Sequence, residues 1–262
     1  MPVPFIRVRS HHDENPDKTN FHMHTHDTHE IFCFLGGEAK YCVEGTIYTM
    51  SPRDIFLMKK GEAHSLLLTS SRPYDRLYVN FNEDAILKRY ASKITEFIDK
   101  KPLGEYNRYS SSVFENNNCI FCLNQLLKTQ NIDERRLYLT VLLVELMNRP
   151  RNYIKHESTD EIIRGIAEYI NLHLKDDITI DLLCNKFHIS KTHLSRKFKS
   201  TTGSSISKYI LRKKLILAND LMAKGIPPTN VYNECGFREY TTFYRAYKEI
   251  YNCSPKQYKD II

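Results

Sequence analysis

Four histidines and a glutamate fall in one short stretch, His22, His24, His26, His29 and Glu30, and His64 follows 34 residues after Glu30. Three imidazoles and one carboxylate, from His24, His26, Glu30 and His64, form a donor set suited to zinc, iron, nickel or manganese. The His24-x-His26 spacing places both rings on one face of a strand. The same four residues can instead line a polar ligand pocket, or the mouth of a barrel, without any metal. On the residues alone both readings stand.

A second kind of chemistry lies between Ile189 and Lys199. At helical spacing Leu194 and Phe198 share one face, while Thr192, Ser195, Arg196 and Lys199 share another. An apolar face anchors such a helix, and a face of short polar and basic side chains suits a DNA major groove. The segment recurs 49 residues later: Leu194, Arg196, Phe198 and Lys199 fall on Phe243, Arg245, Tyr247 and Lys248, and Ser205 and Tyr209 on Ser254 and Tyr258. The polar face recurs as Thr241, Tyr244, Arg245 and Lys248. This is the signature of two copies of one supersecondary unit. Arg196 and Arg245 can each grip guanine O6 and N7 in bidentate fashion. Lys191, Lys199 and Lys248 suit phosphates, which add affinity but no sequence information.

The charge supports a polyanionic partner. Residues 159–262 carry 17 Lys/Arg against 11 Asp/Glu, while the rest of the chain is nearly balanced at 21 against 20. Nine basic residues and no acidic one lie between Leu182 and Asn219, a single-sign block within a periodic segment. The 262 residues suffice for two domains, and no apolar run approaches a membrane span. The start, Met-Pro-Val-Pro-Phe-Ile-Arg, lacks the apolar core of a signal peptide. A cytoplasmic protein with reduced thiols is therefore expected. Cys119-x-x-Cys122 has no second ligand pair and reads as helix packing.

Up to about residue 82 the pattern is β. Short branched and aromatic runs at 31–35, 39–43, 46–50, 54–58, 65–69 and 76–81 predict a small barrel or sandwich. Gly36-Gly37 reads as a hairpin and Glu44-Gly45 as another tight turn. Residues 83–148 read as helices, the last of them apolar around much of its circumference. It is either buried under the barrel or paired with a second subunit. Pro150 ends that pattern, and 149–158 reads as a linker, with Ser158 or Thr159 capping the next helix. Beyond it lie two helix-turn-helix units joined by a long helix, Ile206–Lys224. Ser190 is the expected N-cap of the first reading helix and Gly203 its left-handed C-cap.

Two resemblances follow. His24-x-His26-x-x-x-Glu30 with Gly37, and Gly61-Glu-Ala-His64, resemble the two cupin motifs, although Lys59 and Leu68 stand where those motifs usually have Pro and Asn. Residues 160–262 resemble the DNA-binding domain of the AraC/XylS family of transcription regulators. The resemblance rests on Leu194-Ser-Arg-x-Phe-Lys199, Gly203, Ala218 with Leu221-Met222, Gly236-Phe237 and Tyr251-x-x-Ser-Pro-x-x-Tyr258. Asn252 replaces the usual Gly and, like Gly, tolerates a left-handed backbone. The resemblance implies base reading by Thr192, Ser195 and Arg196 in the first unit and by Tyr240, Thr241 and Arg245 in the second. It implies major-groove entry about one turn, ~34 Å, apart.

The expected fold is α+β: an N-terminal cupin-like barrel (1–82), a helical coupling and dimerisation region (83–148), a linker (149–158) and an all-α double helix-turn-helix domain (159–262). The expected protein is no enzyme. It is a transcription regulator, in family terms an activator, although the residues do not fix the sign. Its partners are double-stranded promoter DNA, RNA polymerase, a second copy of itself and a small-molecule effector such as a sugar or related metabolite, held by His24, His26, Glu30 and His64. Phe32, Phe34 and Tyr41 either stack on a sugar ring or pack the core. No cofactor is firmly expected. A divalent metal at the four residues gives the alternative: a cupin enzyme or metal sensor fused to a DNA-binding domain.

Overall fold

A computed structural model of the chain describes residues 3–17, 23–114, 118–149 and 160–257. The expected linker, apart from Arg149, lies outside these residues, as do His22, Ser158, Thr159 and Tyr258.

Among the described residues, eight strands form two sheets. They are β1 (Ile6–Asp13), β2 (His29–Gly36), β3 (Ala39–Val43), β4 (Thr46–Thr49), β5 (Ile55–Met58), β6 (His64–Leu68), β7 (Tyr74–Phe81) and β8 (Arg108–Tyr109). One sheet runs β1-β7-β2-β5-β8 and the other β4-β3-β6. Two of these strands escaped the sequence pattern. β1, Ile-Arg-Val-Arg-Ser-His-His-Asp, is polar at most positions because it edges the sheet. β8 carries the sheet beyond residue 82.

The Gly36-Gly37 hairpin is not formed. β2 pairs with β5 and β7, whereas β3 pairs with β4 and β6. The glycines instead turn the chain from one sheet to the other. Gly37 has φ +108°, and a side chain there would meet the Pro73 carbonyl at 2.9 Å. The Glu44-Gly45 turn does form, joining β3 to β4 with φ of 50° and 85°. Two consecutive left-handed residues suit the twist of a two-residue hairpin.

β2 is covered on both faces. Phe32 and Phe34 point between the sheets onto Tyr41, Phe56 and Tyr74, while Ile31 and Cys33 point outward to a helical layer. That layer is α1 (Lys88–Asp99), α2 (Asn118–Lys128) and α3 (Ile132–Met147). Cys119 and Cys122 are buried in it, and burial pushes their thiols up to about 12 and about 11. α3 buries Leu139, Leu142, Leu143 and Leu146. Leu137 and Val141 remain exposed, as does Phe121 on α2.

The C-terminal half is helical: α4 (Glu161–Leu172), α5 (Ile180–Phe187), α6 (Lys191–Thr202), α7 (Ile206–Ala223), α8 (Pro228–Glu234) and α9 (Tyr240–Tyr251). Asp160 caps α4 by accepting from the Ile163 amide, in place of the expected Ser158 or Thr159. α4 to α6 pack around Ile163, Ile166, Leu183, Leu194 and Phe198. A separate core gathers α8, α9 and the end of α7 around Leu215, Met222, Val231, Phe243 and Tyr247. The repeat read from the sequence thus folds as two small cores strung on one long helix.

Candidate functional site

The first reading helix begins and ends where the chain chemistry requires, whereas α9 follows Glu239 without a side-chain cap. The Ser190 side chain accepts the His193 amide, and Gly203, at φ 77°, closes α6. Asn252 closes α9 at φ 54°. Removing the first cap in Ser190→Ala is expected to cost about 1 kcal/mol, seen as a lower urea midpoint. An unchanged midpoint would show that the cap contributes nothing.

Leu194 and Phe198 are fully buried, as are Phe243 and Tyr247, and this fixes the opposite faces outward. Lys191, Thr192, Ser195, Arg196 and Lys199 are exposed on α6, and Thr241, Arg245 and Lys248 on α9. Among the described residues no ion pair involves Arg196, Lys199, Arg245 or Lys248, whereas Lys191 sits 3.2 Å from Asp181. Tyr240 differs from its expected partners: it is half-buried and packs edge-on to Tyr232 at 5.9 Å. His193 is exposed on the same stretch of α6 and escaped the pattern reading.

The basic block is only partly available to a polyanion. Lys197 pairs with Asp160 at 2.7 Å. Lys214 is buried and donates to the Gly236 carbonyl at 2.8 Å, bracing the second unit. Lys213 is buried against the barrel, where its ammonium meets Glu44 and donates to the Gly61 carbonyl at 2.7 Å.

In the barrel, three of the expected residues converge. The ligand atoms of His24, His26 and His64 all lie within 4.8 Å of one another. Their rings contact at centroid distances of 4.5 to 5.1 Å. The backbone arrangement differs from expectation: His24 makes a lone bridge to His64 rather than lying in a strand with His26. Glu30 completes the group. Its Oε2 takes His26 Nε2 at 2.9 Å and Asn80 Nδ2 at 2.8 Å, and its Oε1 lies 3.8 Å from His64 Nε2. Burial alone would raise the Glu30 pKa. The His26 hydrogen bond and the charge of the three histidines outweigh it and bring the carboxyl down to about 2. Burial lowers the pKa of His64, with Glu30 only partly opposing it. His29 points elsewhere: it accepts the Lys60 amide at 3.1 Å and packs on Phe81.

Phe32 and Tyr41 stack on each other at 4.6 Å, both buried, and Tyr41 also meets the His64 ring at 5.8 Å. They form the closed floor beneath the histidines. A groove on the outer side of the barrel, between Leu35, Arg53, Ser111, Phe114 and Ile120, includes none of the four expected ligand residues.

The two halves meet through the segment that carries His64. Gly61 accepts from Lys213, Glu44 Oε2 accepts from Asn171 Nδ2 at 3.3 Å, and Ser65 Oγ donates to the Thr202 carbonyl at 2.9 Å. Lys60 bridges Asp27 and Asp220 at 2.9 and 2.8 Å, and Arg164 meets Glu105 at 2.9 Å. None of these pairs between the halves carries a local sequence signal.

A barrel with a converging polar cluster and two helix-turn-helix units define the class: a DNA-binding protein with a ligand-binding domain. Known families match each half, an AraC-like ligand binding domain over residues 9–101 and a helix-turn-helix domain over 183–261. The chain belongs to the AraC family of transcription regulators. Its relatives include the probable transcriptional regulator LumQ of Photobacterium leiognathi, 24% identical over 98% of this chain and 99% of that one. The lactose operon transcription activator of Staphylococcus xylosus is 21% identical over 85% and 80% of the two chains. Among solved structures, ToxT of Vibrio cholerae aligns over 97% of each chain at 14% identity and a TM-score of 0.43.

Proposed function

We propose that this regulator reads a specific promoter sequence through α6 and α9, in the cytoplasm and as a homodimer, under control of a small molecule held in the barrel, and that it passes its signal to RNA polymerase without catalysing a reaction. The observation that carries the reading is the pair of outward polar faces, each with an arginine outside any ion pair among the described residues. Arg196 and Arg245 read guanine, Thr192, Ser195 and Thr241 contact neighbouring base edges, and Lys191, Lys199 and Lys248 hold phosphates. Half-burial makes Tyr240 a packing residue that fixes the start of α9. Selection of duplexes from a random pool by the purified protein tests this: a recurrent motif is expected, and enrichment of none rejects it.

Support for a sugar effector comes from the name of the Staphylococcus xylosus relative. The packing of Phe32 against Tyr41 does not add to it, because a sugar ring would first have to separate these buried side chains.

The exposed apolar residues of α2 and α3 support the homodimer. Leu137 and Val141 lie on α3 opposite the side that covers the barrel, and Phe121 of α2 packs edge-on to Tyr138 beside them. Such a patch on a regulator is a protein-interaction surface. Leu137→Glu combined with Val141→Glu is expected to convert a dimer to a monomer in light scattering, with circular dichroism unchanged. A double variant that remains dimeric would place the interface elsewhere.

A further inference from the structure

We propose that the barrel holds its effector by an anionic head group, a phosphate monoester, gripped by Arg76 and Arg9 beside His11 and Tyr78. The inference rests on the reading of the chain as an effector-responsive regulator and names the chemical class of the effector.

Strand register builds the grip. Arg76 of β7 stands between His11 of β1 and Phe34 of β2, and Tyr78 stands between Arg9 and Phe32. Residues paired across neighbouring strands share a face, and Phe32 and Phe34 point between the two sheets. Arg76, Tyr78, Arg9 and His11 therefore belong to the inner face of the barrel, at its β1 edge. Arg76 is half-buried and leans inward: its guanidinium lies over the Tyr74 ring at 5.6 Å and the Tyr78 ring at 5.9 Å. Burial, and then the Glu30 charge, raise the pKa of Tyr41 on the opposite sheet, and the Arg76 charge partly opposes them. His11 stacks flat on Tyr78 with ring centroids 5.6 Å apart, and its Nε2 lies 3.4 Å from the Tyr78 hydroxyl. Burial and the charges of Arg76 and Arg9 lower the pKa of His11, so both guanidinium groups lie close to one imidazole.

The carboxylates of this face are engaged elsewhere. Glu30 takes His26 and Asn80, and Asp13 accepts the Asn15 amide at 3.2 Å. Asp75 lies on the other face, where it meets His12 at 2.6 Å. Among the described residues no ion pair involves Arg9. Arginines that only guard a sheet edge against pairing stand on the edge strand. Arg76 stands one strand in, on β7, over two aromatic rings. Guanidinium groups suit phosphate, whose oxygens accept paired N–H donors, and two of them match a dianion better than the single charge of a carboxylate. The rest of the effector has room along the same face. Asn80, which holds Glu30, follows Arg76 by two same-face positions on β7, ~13 Å away. Glu30 and the imidazoles beside it offer acceptors and donors for hydroxyl groups. A phosphorylated sugar spans that distance once the side chains lean toward it, and it covers Tyr78 without parting the Phe32–Tyr41 stack.

The test uses the full-length protein with isotope-labelled histidine rings, followed by NMR, and potassium phosphate as the probe. The His11 signal, assigned by its loss in His11→Gln, is expected to shift saturably with phosphate at a Kd on the order of 1 mM. It should stay in place in potassium chloride of matched ionic strength. Arg9→Gln and Arg76→Gln should each weaken that binding by about tenfold. Arg9 is exposed, so Arg9→Gln should keep the wild-type thermal midpoint and separate lost binding from lost structure. An unmoved His11 signal, a shift that chloride reproduces, or full binding by either variant overturns the site. Acetate bound as tightly as phosphate overturns the phosphate class. The regulator reading is decided separately, by the random-duplex selection, which needs no ligand.

Discussion

Glu44→Ala is expected to destabilise the protein by about 3–5 kcal/mol, because it leaves a lysine buried without its counter-charge. Glu44 and Lys213 are 2% and 4% exposed. The carboxylate faces the Lys213 ammonium and the Tyr209 hydroxyl, and accepts the Ala63 amide at 2.7 Å and Asn171 Nδ2 at 3.3 Å. Burial and the neighbouring carboxylate push the Tyr209 hydroxyl well above its ordinary pKa, so it stays a donor. Glu44 itself sits in the left-handed turn between β3 and β4, at φ 50°. These bonds tie β3 and β6 of the barrel to α4 and α7. The loss should therefore appear first as an earlier separation of the two halves in urea. Replacing both charges, with Glu44→Gln and Lys213→Met, should recover much of the loss, because a neutral pair needs no compensation. A Glu44→Ala protein within about 1 kcal/mol of wild type would show that the seam is open in solution.

Arg196→Ala is expected to weaken binding to the selected duplex by about 1–3 kcal/mol, roughly 5- to 150-fold, and to leave binding to random duplex nearly unchanged. The guanidinium is exposed on α6, close to the buried Phe198 that fixes the helix, and is not consumed by any ion pair among the described residues. Lys199→Ala, one turn on, should behave differently. Loss of a phosphate contact weakens both duplexes alike and lowers the slope of log affinity against log salt by about 1. Equal losses on both duplexes for Arg196→Ala would make Arg196 a phosphate contact too.

The two kinds of chemistry were legible to different depths. The reading helices were plain in the sequence because a helix writes its buried face at fixed local spacing, and the 49-residue repeat wrote it twice. The donor set of the barrel was legible as a set of residue types but not as a structure. His24 reaches His64 through one bridge, a pairing across 40 residues that no local pattern encodes. The Gly36-Gly37 turn misled for a related reason: a pair of glycines marks a reversal but does not say whether the strands beyond it pair. The contacts between halves were illegible throughout. Lys213 reads in the sequence as one more member of the basic block offered to a polyanion, and only the tertiary fold places Glu44 before it. Lys214 was hidden in the same way by its place against Gly236.

Whether two helices of this chain read DNA sequence side by side is decided by one selection experiment. Full-length wild type, Arg196→Ala and Arg245→Ala would each select duplexes from the same random pool for sequencing. Wild type is expected to enrich two blocks of fixed positions, each containing guanine, with centres about one helical turn, ~10 base pairs, apart. Each variant should relax one block and keep the other. A wild-type pool without enriched positions, or variants that keep both blocks intact, would contradict side-by-side reading.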